Sequence, residues 1–233
     1  MNNEITREMH VIPIRGIPEV ESGHDLGELI VGAVGEPGLM DNDVVVVAQK
    51  VISKAEGRTI PADDRRAAAE AESQRILRRS GQMIISETQH GFVCANAGVD
   101  ASNVVPGSIT LLPLDPDLSA RRLRSRLEHL VHVDVGVIIS DTFGRAWRLG
   151  QTNVAIGVAG LDPFTDYRGQ TDEHGNELSA TRICTADELA GAAELVMGKS
   201  TGTCAVIVRG APTRRRRGSA RAIIRPPAED LFR

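Results

Sequence analysis

The sequence predicts an α+β fold, with strands and helices mixed and no strict βαβ alternation. Three observations carry that prediction. Runs of β-branched and other apolar residues at 44–47, 135–139 and 204–208 have the character of buried strands. Helix-patterned segments at 62–79, 118–130 and 185–196 stand between them. No Gly-x-Gly-x-x-Gly occurs, so a dinucleotide-binding doubly wound sheet has no support.

Taken in order, residues 10–15 (His-Val-Ile-Pro-Ile-Arg) predict a short strand, and Gly16-Ile17-Pro18-Glu19 a turn. Asp25 is placed to cap a helix over 26–34, which Gly35 and Pro37 end. Asp41-Asn42-Asp43 predicts a turn before the 44–47 strand. Residues 49–54 (Gln-Lys-Val-Ile-Ser-Lys) have no clear period and read as a strand extension or a loop over the sheet. The Ala-, Glu- and Arg-rich stretch 62–79 predicts a helix with a wide exposed face. Short strands at 83–86 and 92–95 flank Gln89-His90-Gly91; residues 97–103 are loop chemistry. A strand over 109–114 closes at Pro113 and Asp115-Pro116. Leu118, Leu123, Leu127 and Leu130 mark an amphipathic helix with an Arg-rich outer face.

Beyond the 135–139 strand, the small residues of 155–160 predict close backbone packing, and 166–169 and 172–177 are polar loops. Thr185-Ala186-Asp187-Glu188 reads as a capping box opening a helix that Gly198 ends. The 204–208 strand and a basic loop follow. With no repeat and no long linker, the 233 residues predict a single unit with room for two subdomains.

Composition narrows the function classes. Hydrophobic residues make up 41% and charged residues 25%, as in ordinary globular chains. Six aromatics leave the core to Val, Ile, Leu and Ala. The net charge of -4 supplies no global field for nucleic acid. The run Arg214-Arg215-Arg216-Arg217 has no interleaved aromatics for base stacking and reads as a solvated loop, with a polyanionic small molecule as the minority alternative. No apolar stretch approaches the ~20 residues that span a bilayer. Residues 1–8 carry charges and no apolar core, so no signal peptide is expected. Cys94, Cys184 and Cys204 fit neither zinc spacing nor a disulfide framework, which predicts reduced thiols and a cytoplasmic protein. Of 27 basic residues only Lys50, Lys54 and Lys199 are lysine. Either they survive where a compact ammonium is needed, or their survival is chance.

The segment 137–151 is the most informative for chemistry. An apolar strand ends there at Ser140-Asp141-Thr142, followed by Gly144, Arg145 and Arg148. A carboxylate and a hydroxyl at a rigid strand end present hard oxygen donors suited to Mg²⁺ or Mn²⁺, and the arginines are planar donors for phosphate or carboxylate. The plain alternative is a strand end with an Asp turn and two solvated arginines. Asp100-Ala101-Ser102-Asn103 offers a further carboxylate and amide, and is by itself an ordinary turn. Gly198-Lys199-Ser200-Thr201 has the tail of a P-loop, but position 193 is Ala and a helix precedes the motif, so a standard P-loop is rejected. The six histidines form no His-x-x-x-His pair, and no nucleophile elbow is present.

Several segments together resemble one family. They are Ile12 to Glu19, Asp43 to Gly57 (DVVVVAQKVISKAEG), Ala97 to Asn103 (AGVDASN) and Ser140 to Gln151 (SDTFGRAWRLGQ). Asp166-Tyr167-Arg168-Gly169, Asp172 to Leu178 and Val206 to Gly210 add to them. In order and over nearly the whole chain, they resemble the coenzyme F420-0:L-glutamate ligase family (F420:gamma-glutamyl ligase). The fold that this implies has mixed or antiparallel sheets with flanking helices, in an intertwined homodimer. The activity implied is GTP-dependent addition of L-glutamate to the lactyl carboxylate of F420-0 through an acyl phosphate, with further gamma-linked glutamates in many members. The cofactors implied are Mg²⁺ or Mn²⁺, often with a monovalent cation such as K⁺.

By residue matching, Asp100, Asp141 and Thr142 would hold the divalent metal. The GTP site would be lined by Ile17, Pro18, Glu19, Val20, Gln49, Lys54 and Asn103, and by Met197, Gly198, Lys199, Ser200, Thr201, Gly202, Thr203 and Cys204. Lys54 and Arg145 would stabilise transition-state charge; no general base is identified. Where some archaeal members carry a glutamate ligand, this chain carries Lys199, so a second metal is held differently or Lys199 neutralises phosphate. The flavin-dependent reductase domain fused in some relatives is not expected. A metal-dependent phosphohydrolase and a non-catalytic F420-binding protein are the alternatives.

Overall fold

The structure, a computed structural model, describes residues 8–62 and 64–230. Residues 1–7, most of the charged N-terminal stretch in which no signal peptide is expected, and Asp63, inside the expected 62–79 helix, lie outside the described residues.

The first half of the chain opens with strand β1 (His10–Ile14), helix α1 (Leu26–Ala33), β2 (Val44–Ala48) and α2 (Gln49–Ala55). Then come β3 (Thr59–Pro61), α3 (Arg65–Ala71), β4 (Ser73–Ser80), β5 (Met83–Thr88), β6 (Val93–Ala95) and β7 (Ser108–Thr110). The second half holds α4 (Pro116–Val131), β8 (Gly136–Arg145), β9 (Arg148–Ala159), β10 (Thr165–Asp166), β11 (Arg182–Ile183), α5 (Thr185–Met197) and β12 (Ala205–Arg209).

The main sheet has the order β1-β12-β2-β8-β9. Only β2 and β8 are parallel; the other three pairings are antiparallel. The mixed α+β expectation therefore holds. Val44 to Val47 sit at its centre, 1% exposed or less, because side chains alternate between two covered faces. Val45 and Val47 pack with Ile30, Leu123, Leu127 and Ile139 under α1 and α4. Val44 and Val46 pack with Leu189, Ala190, Ala193 and Met197 under α5. A smaller core of Ala69, Ile84, Val99, Ile109 and Leu111 gathers α3, β3, β7 and the β4-β5-β6 sheet.

Two buried aspartates tie the sheet to its surroundings. Asp43 is 1% exposed and accepts from Met40 N–H at 2.8 Å and from both Nε and Nη2 of Arg209 at 2.9 and 2.7 Å. Asp117, in the first turn of α4, accepts from the backbone N–H of Val158 and of Ala220, each at 2.8 Å, and from the Ser219 hydroxyl. It clasps the C-terminal segment to β9.

Several expectations are corrected. The helix expected over 62–79 ends at Ala71, and residues 73–80 form β4, because Gly81 in the left-handed region turns the chain into a hairpin with β5. Cross-strand pairing outweighs the local helical preference of this Arg-rich stretch. Residues 49–54, read as strand or loop, lie in α2, which buries Ile52 and Ser53. The strand expected to stop at Ser140 continues to Arg145 and turns at Ala146-Trp147 into β9, so the small residues of 155–160 lie mostly in a buried strand. Of the expected 109–114 strand only residues 109 and 110 pair, within β7. At α5 the N-cap is Cys184 without a side-chain cap, and the Thr185 hydroxyl bonds Thr165 at 2.7 Å. Arg215, inside the basic run, is partly buried and donates to the carbonyls of Gly160 and Asp134, so the run is in part a structural staple.

Candidate active site

Cross-strand register places four of the candidate segments along one edge of the main sheet. Ile14 pairs with Ala205, Ala205 with Val47, and Val47 with Ile139. The 15–20 segment leaves β1 at this level, Gln49 and Lys50 leave β2, Ser140 to Thr142 continue β8, and the 197–204 loop enters β12. Ala48 N–H donates to the Cys204 carbonyl at 2.9 Å, joining two of these segments directly. The edge contains the carboxyl ends of the parallel pair β2 and β8, where crevices form because the chain departs in different directions.

A register shift lies between Ile139 and Ser140, the kind of bulge that re-aims side chains beside a site. Just past it, Thr142 N–H donates to Asp141 Oδ1 at 2.8 Å. The Thr142 hydroxyl donates to Asn153 Oδ1 at 2.6 Å, and Asn153 Nδ2 donates to Ser140 Oγ at 3.3 Å. Lys199 Nζ donates to Thr142 Oγ1 at 2.7 Å and lies 3.1 Å from Glu194 Oε2.

Asp100 arrives from a loop whose backbone is pinned to Thr110 by two hydrogen bonds. Its carboxylate accepts from Ser102 N–H at 2.8 Å and from Ser102 Oγ at 2.9 Å. Lys50 Nζ completes the corner, 2.8 Å from Asp100 Oδ2, 2.7 Å from the Ser102 carbonyl and 2.6 Å from Ser102 Oγ. All three of its N–H bonds are thereby used.

The two carboxylates behave differently. Burial pushes Asp141 up to about 6; the nearby charge of Asp100 adds to this, while the Thr142 N–H and the charges of Lys199 and Lys50 oppose it. Burial acts on Asp100 in the same sense, but Lys50 and Ser102 hold it below the usual carboxylate range. Burial and the Asp141 charge push the neighbouring Cys94 thiol up to about 12. Two anions that feel each other in a partly desolvated corner call for cations, and in this structure two lysines supply them.

The remaining candidates divide by exposure. Lys54 ion-pairs with Glu19, and both influence the Cys204 thiol, whose pKa is raised by burial first and by Glu19. Pro18, Glu19, Asn103 and residues 198–202 are exposed at the edge, and Ile17 is half-buried against the core. Val20, Met197 and Thr203 are buried beneath the site. Gln49 is also buried, its amide donating to Ser53 Oγ at 2.6 Å and to the Leu111 carbonyl at 3.0 Å. Arg145 stands apart: it is four residues along β8 from Asp141, roughly 13 Å of strand, and donates to the Leu149 carbonyl at 3.1 Å. Sequence reasoning missed Lys50 and Asn153. The scarcity of lysine was the only signal for the first, and the second had none.

The converging donors are hard oxygens, which suits Mg²⁺ or Mn²⁺. Among the described residues no group of three or more His, Cys, Asp or Glu is gathered for a metal. A cation here would take two carboxylates and a hydroxyl, leaving its other positions for water and phosphate oxygens.

Comparison with known proteins identifies relatives along nearly the whole chain. The family model described as F420-0:Gamma-glutamyl ligase matches residues 15–210. A protein of Methanothermobacter thermautotrophicus named Coenzyme F420:L-glutamate ligase is 42% identical, covering 96% of this chain and 98% of its own. Proteins of the same name from Methanopyrus kandleri and Methanocaldococcus jannaschii are 44% and 39% identical, each covering 97% of this chain and 98% of its own. A family model over residues 15–210, with relatives 39–44% identical over nearly full length, shows that the chain belongs to the F420-0:gamma-glutamyl ligase family.

Proposed function

We propose that this enzyme joins the amino group of L-glutamate to the lactyl carboxylate of F420-0 at the expense of GTP, and adds further glutamates through gamma linkages. The observation that carries the reading is the convergence of Asp100, Asp141 and Thr142 with the 17–20, 49–54 and 197–204 segments on one sheet edge. Relatives named for glutamate ligation to coenzyme F420 match along nearly their full length.

Amide formation needs a leaving group on the carboxylate. Transfer of the γ-phosphoryl group of GTP to the carboxylate oxygen gives an acyl phosphate and GDP. The glutamate amine then attacks the acyl carbon, phosphate leaves with the C–O bond electrons, and the nitrogen loses a proton. Asp100, Asp141 and Thr142 would hold Mg²⁺ or Mn²⁺, with a monovalent cation such as K⁺ as an accessory. The ion's contribution, when bound, is to neutralise charge on phosphate oxygens. Lys54, 12% exposed in its side chain, offsets charge that develops on the transferred group.

Arg145 sits on a hairpin whose tip carries Trp147 and Leu149, 81% and 99% exposed. We read this apolar tip as covered by a second copy in a homodimer. The whole chain acts as one unit in that assembly. The three unpaired cysteines accord with a cytoplasmic setting.

Incubation of the protein with F420-0, GTP, glutamate and Mn²⁺, followed by mass spectrometry, tests the activity. A glutamate-sized mass increment with equimolar GDP is expected. Phosphate release that ignores glutamate would make the protein a phosphohydrolase, and binding of F420-0 without nucleotide turnover would make it a carrier.

A further inference from the structure

We infer that Lys50 and Lys199 are resident cations of the metal site, which occupy its oxygen donors until a triphosphate draws them away. The inference rests on the reading that Asp100, Asp141 and Thr142 hold the divalent ion. Two of those three ligands carry an ammonium in this structure. Lys50 Nζ lies 2.8 Å from Asp100 Oδ2, and Lys199 Nζ lies 2.7 Å from Thr142 Oγ1. The Thr142 hydroxyl proton is directed at Asn153 Oδ1, so the oxygen lone pairs that face Lys199 are those a metal would need. Only the Asp141 carboxylate has no lysine on it, its bond being to Thr142 N–H.

Cation and lysine thus compete for the same oxygens. An ammonium and a divalent ion held together at a few ångströms also repel each other. Both lysines have flexible stems and anchors that can be exchanged: Glu194 and solvent for Lys199, Ser102 for Lys50. A triphosphate entering the edge offers each ammonium stronger acceptors and frees the carboxylates. Nucleotide and metal then arrive together, and the charge in the corner stays balanced at each stage. This assigns Lys50, which lies outside the contacts implied by the family resemblance, a binding role of its own, and it accounts for two of the three lysines that stand at this edge of a chain otherwise dominated by arginine.

The test reads binding alone. Mn²⁺ affinity is measured by electron paramagnetic resonance without nucleotide, for the full chain and for Lys199→Met, Lys50→Met and the double variant, each checked for fold by circular dichroism. Removing a charged hydrogen bond from the ligand oxygen is expected to tighten Mn²⁺ about tenfold in Lys199→Met, with a further gain in the double variant. In parallel, binding of inorganic tripolyphosphate in the presence of EDTA is expected to weaken about tenfold or more in the double variant. Lys199→Arg, which keeps the charge, should leave Mn²⁺ binding weak. Unchanged or weaker Mn²⁺ binding in folded Lys199→Met overturns the inference, because a lysine that only organises the site would give that result. If Asp141→Asn binds Mn²⁺ as well as the parent chain does, the metal assignment itself fails, and the inference with it. Should Lys50→Met fail to fold, the Lys199 pair of variants decides the outcome.

Discussion

At the residue scale, chemistry follows from how a few polar groups are desolvated together. Asp141 stands at the end of a buried strand stretch, with Asp100 close enough to raise its pKa further. Replacing it by Asn keeps the size and the bond from Thr142 N–H but removes the anion. We expect Asp141→Asn to retain its thermal transition while metal-dependent GTP turnover falls on the order of a hundredfold or more; wild-type rates across a Mg²⁺ titration would refute the metal role. Buried thiols give a second expectation. Burial pushes both Cys94 and Cys184 up to about 12 from an ordinary value near 9. A folded-state pKa raised above the unfolded one stabilises fully below pH ~9, and that contribution is lost as the pH rises from 9 towards 12. Urea midpoints should therefore fall above pH 9, and Cys94→Ala should flatten the fall. Asp141 and Thr142 were legible as candidates because a carboxylate and a hydroxyl at a strand end have a recognisable use, whereas Asp100 by itself read as an ordinary turn and joined them only through the family resemblance. The Lys50 contact was not, since nothing in a linear sequence says which of many carboxylates a lysine will meet.

Elements are decided by partners as much as by their own residues. The 44–47 strand was legible because a β-branched run has little alternative to burial on both faces. The 73–80 strand was not, because its Arg-rich sequence suits a helix and only pairing with β5 makes it extended. The same holds for the continuation of β8 beyond Thr142, which depends on β9. Gly157 shows how tightly such neighbours constrain an element. A Cβ at this position would lie 2.3 Å from the Pro116 carbonyl oxygen, against the start of α4. Backbone on both sides leaves little room to yield. Gly157→Ala is expected to destabilise by about 1–3 kcal/mol or more, read as a lowered denaturation midpoint with an unchanged slope; a neutral midpoint would mean that α4 is free to shift.

For the whole molecule, topology gathers what sequence separates. Four strands meet at one level of the sheet, so loops drawn from nearly 200 residues of chain share one edge. The opposite end is closed by Asp43 and Arg209, 166 residues apart in sequence and joined by two hydrogen bonds. Removing one partner of this largely buried pair leaves the other uncompensated, so Asp43→Ala should cost about 3 kcal/mol in chemical denaturation without altering the distant site; a change below a few tenths would contradict that reading. The exposed hairpin tip supplies a prediction for assembly. If a second copy covers Trp147 and Leu149, Leu149→Glu should convert a dimer to a monomer in sedimentation velocity. A parent chain already monomeric would remove the dimer from the proposal.

By itself the sequence determined the family, the mixed α+β class and the central strands, and offered Asp141 and Thr142 as candidate oxygen donors, because hydrophobic pattern and residue chemistry are local properties. The tertiary structure alone decided that Arg75 to Arg79 lie in a strand, that β8 and β9 form one long hairpin, and that Lys50 and Lys199 rest on Asp100 and Thr142. Those outcomes depend on which distant segments come into contact, and the energies of pairing and charge compensation exist only once the chain has closed on itself.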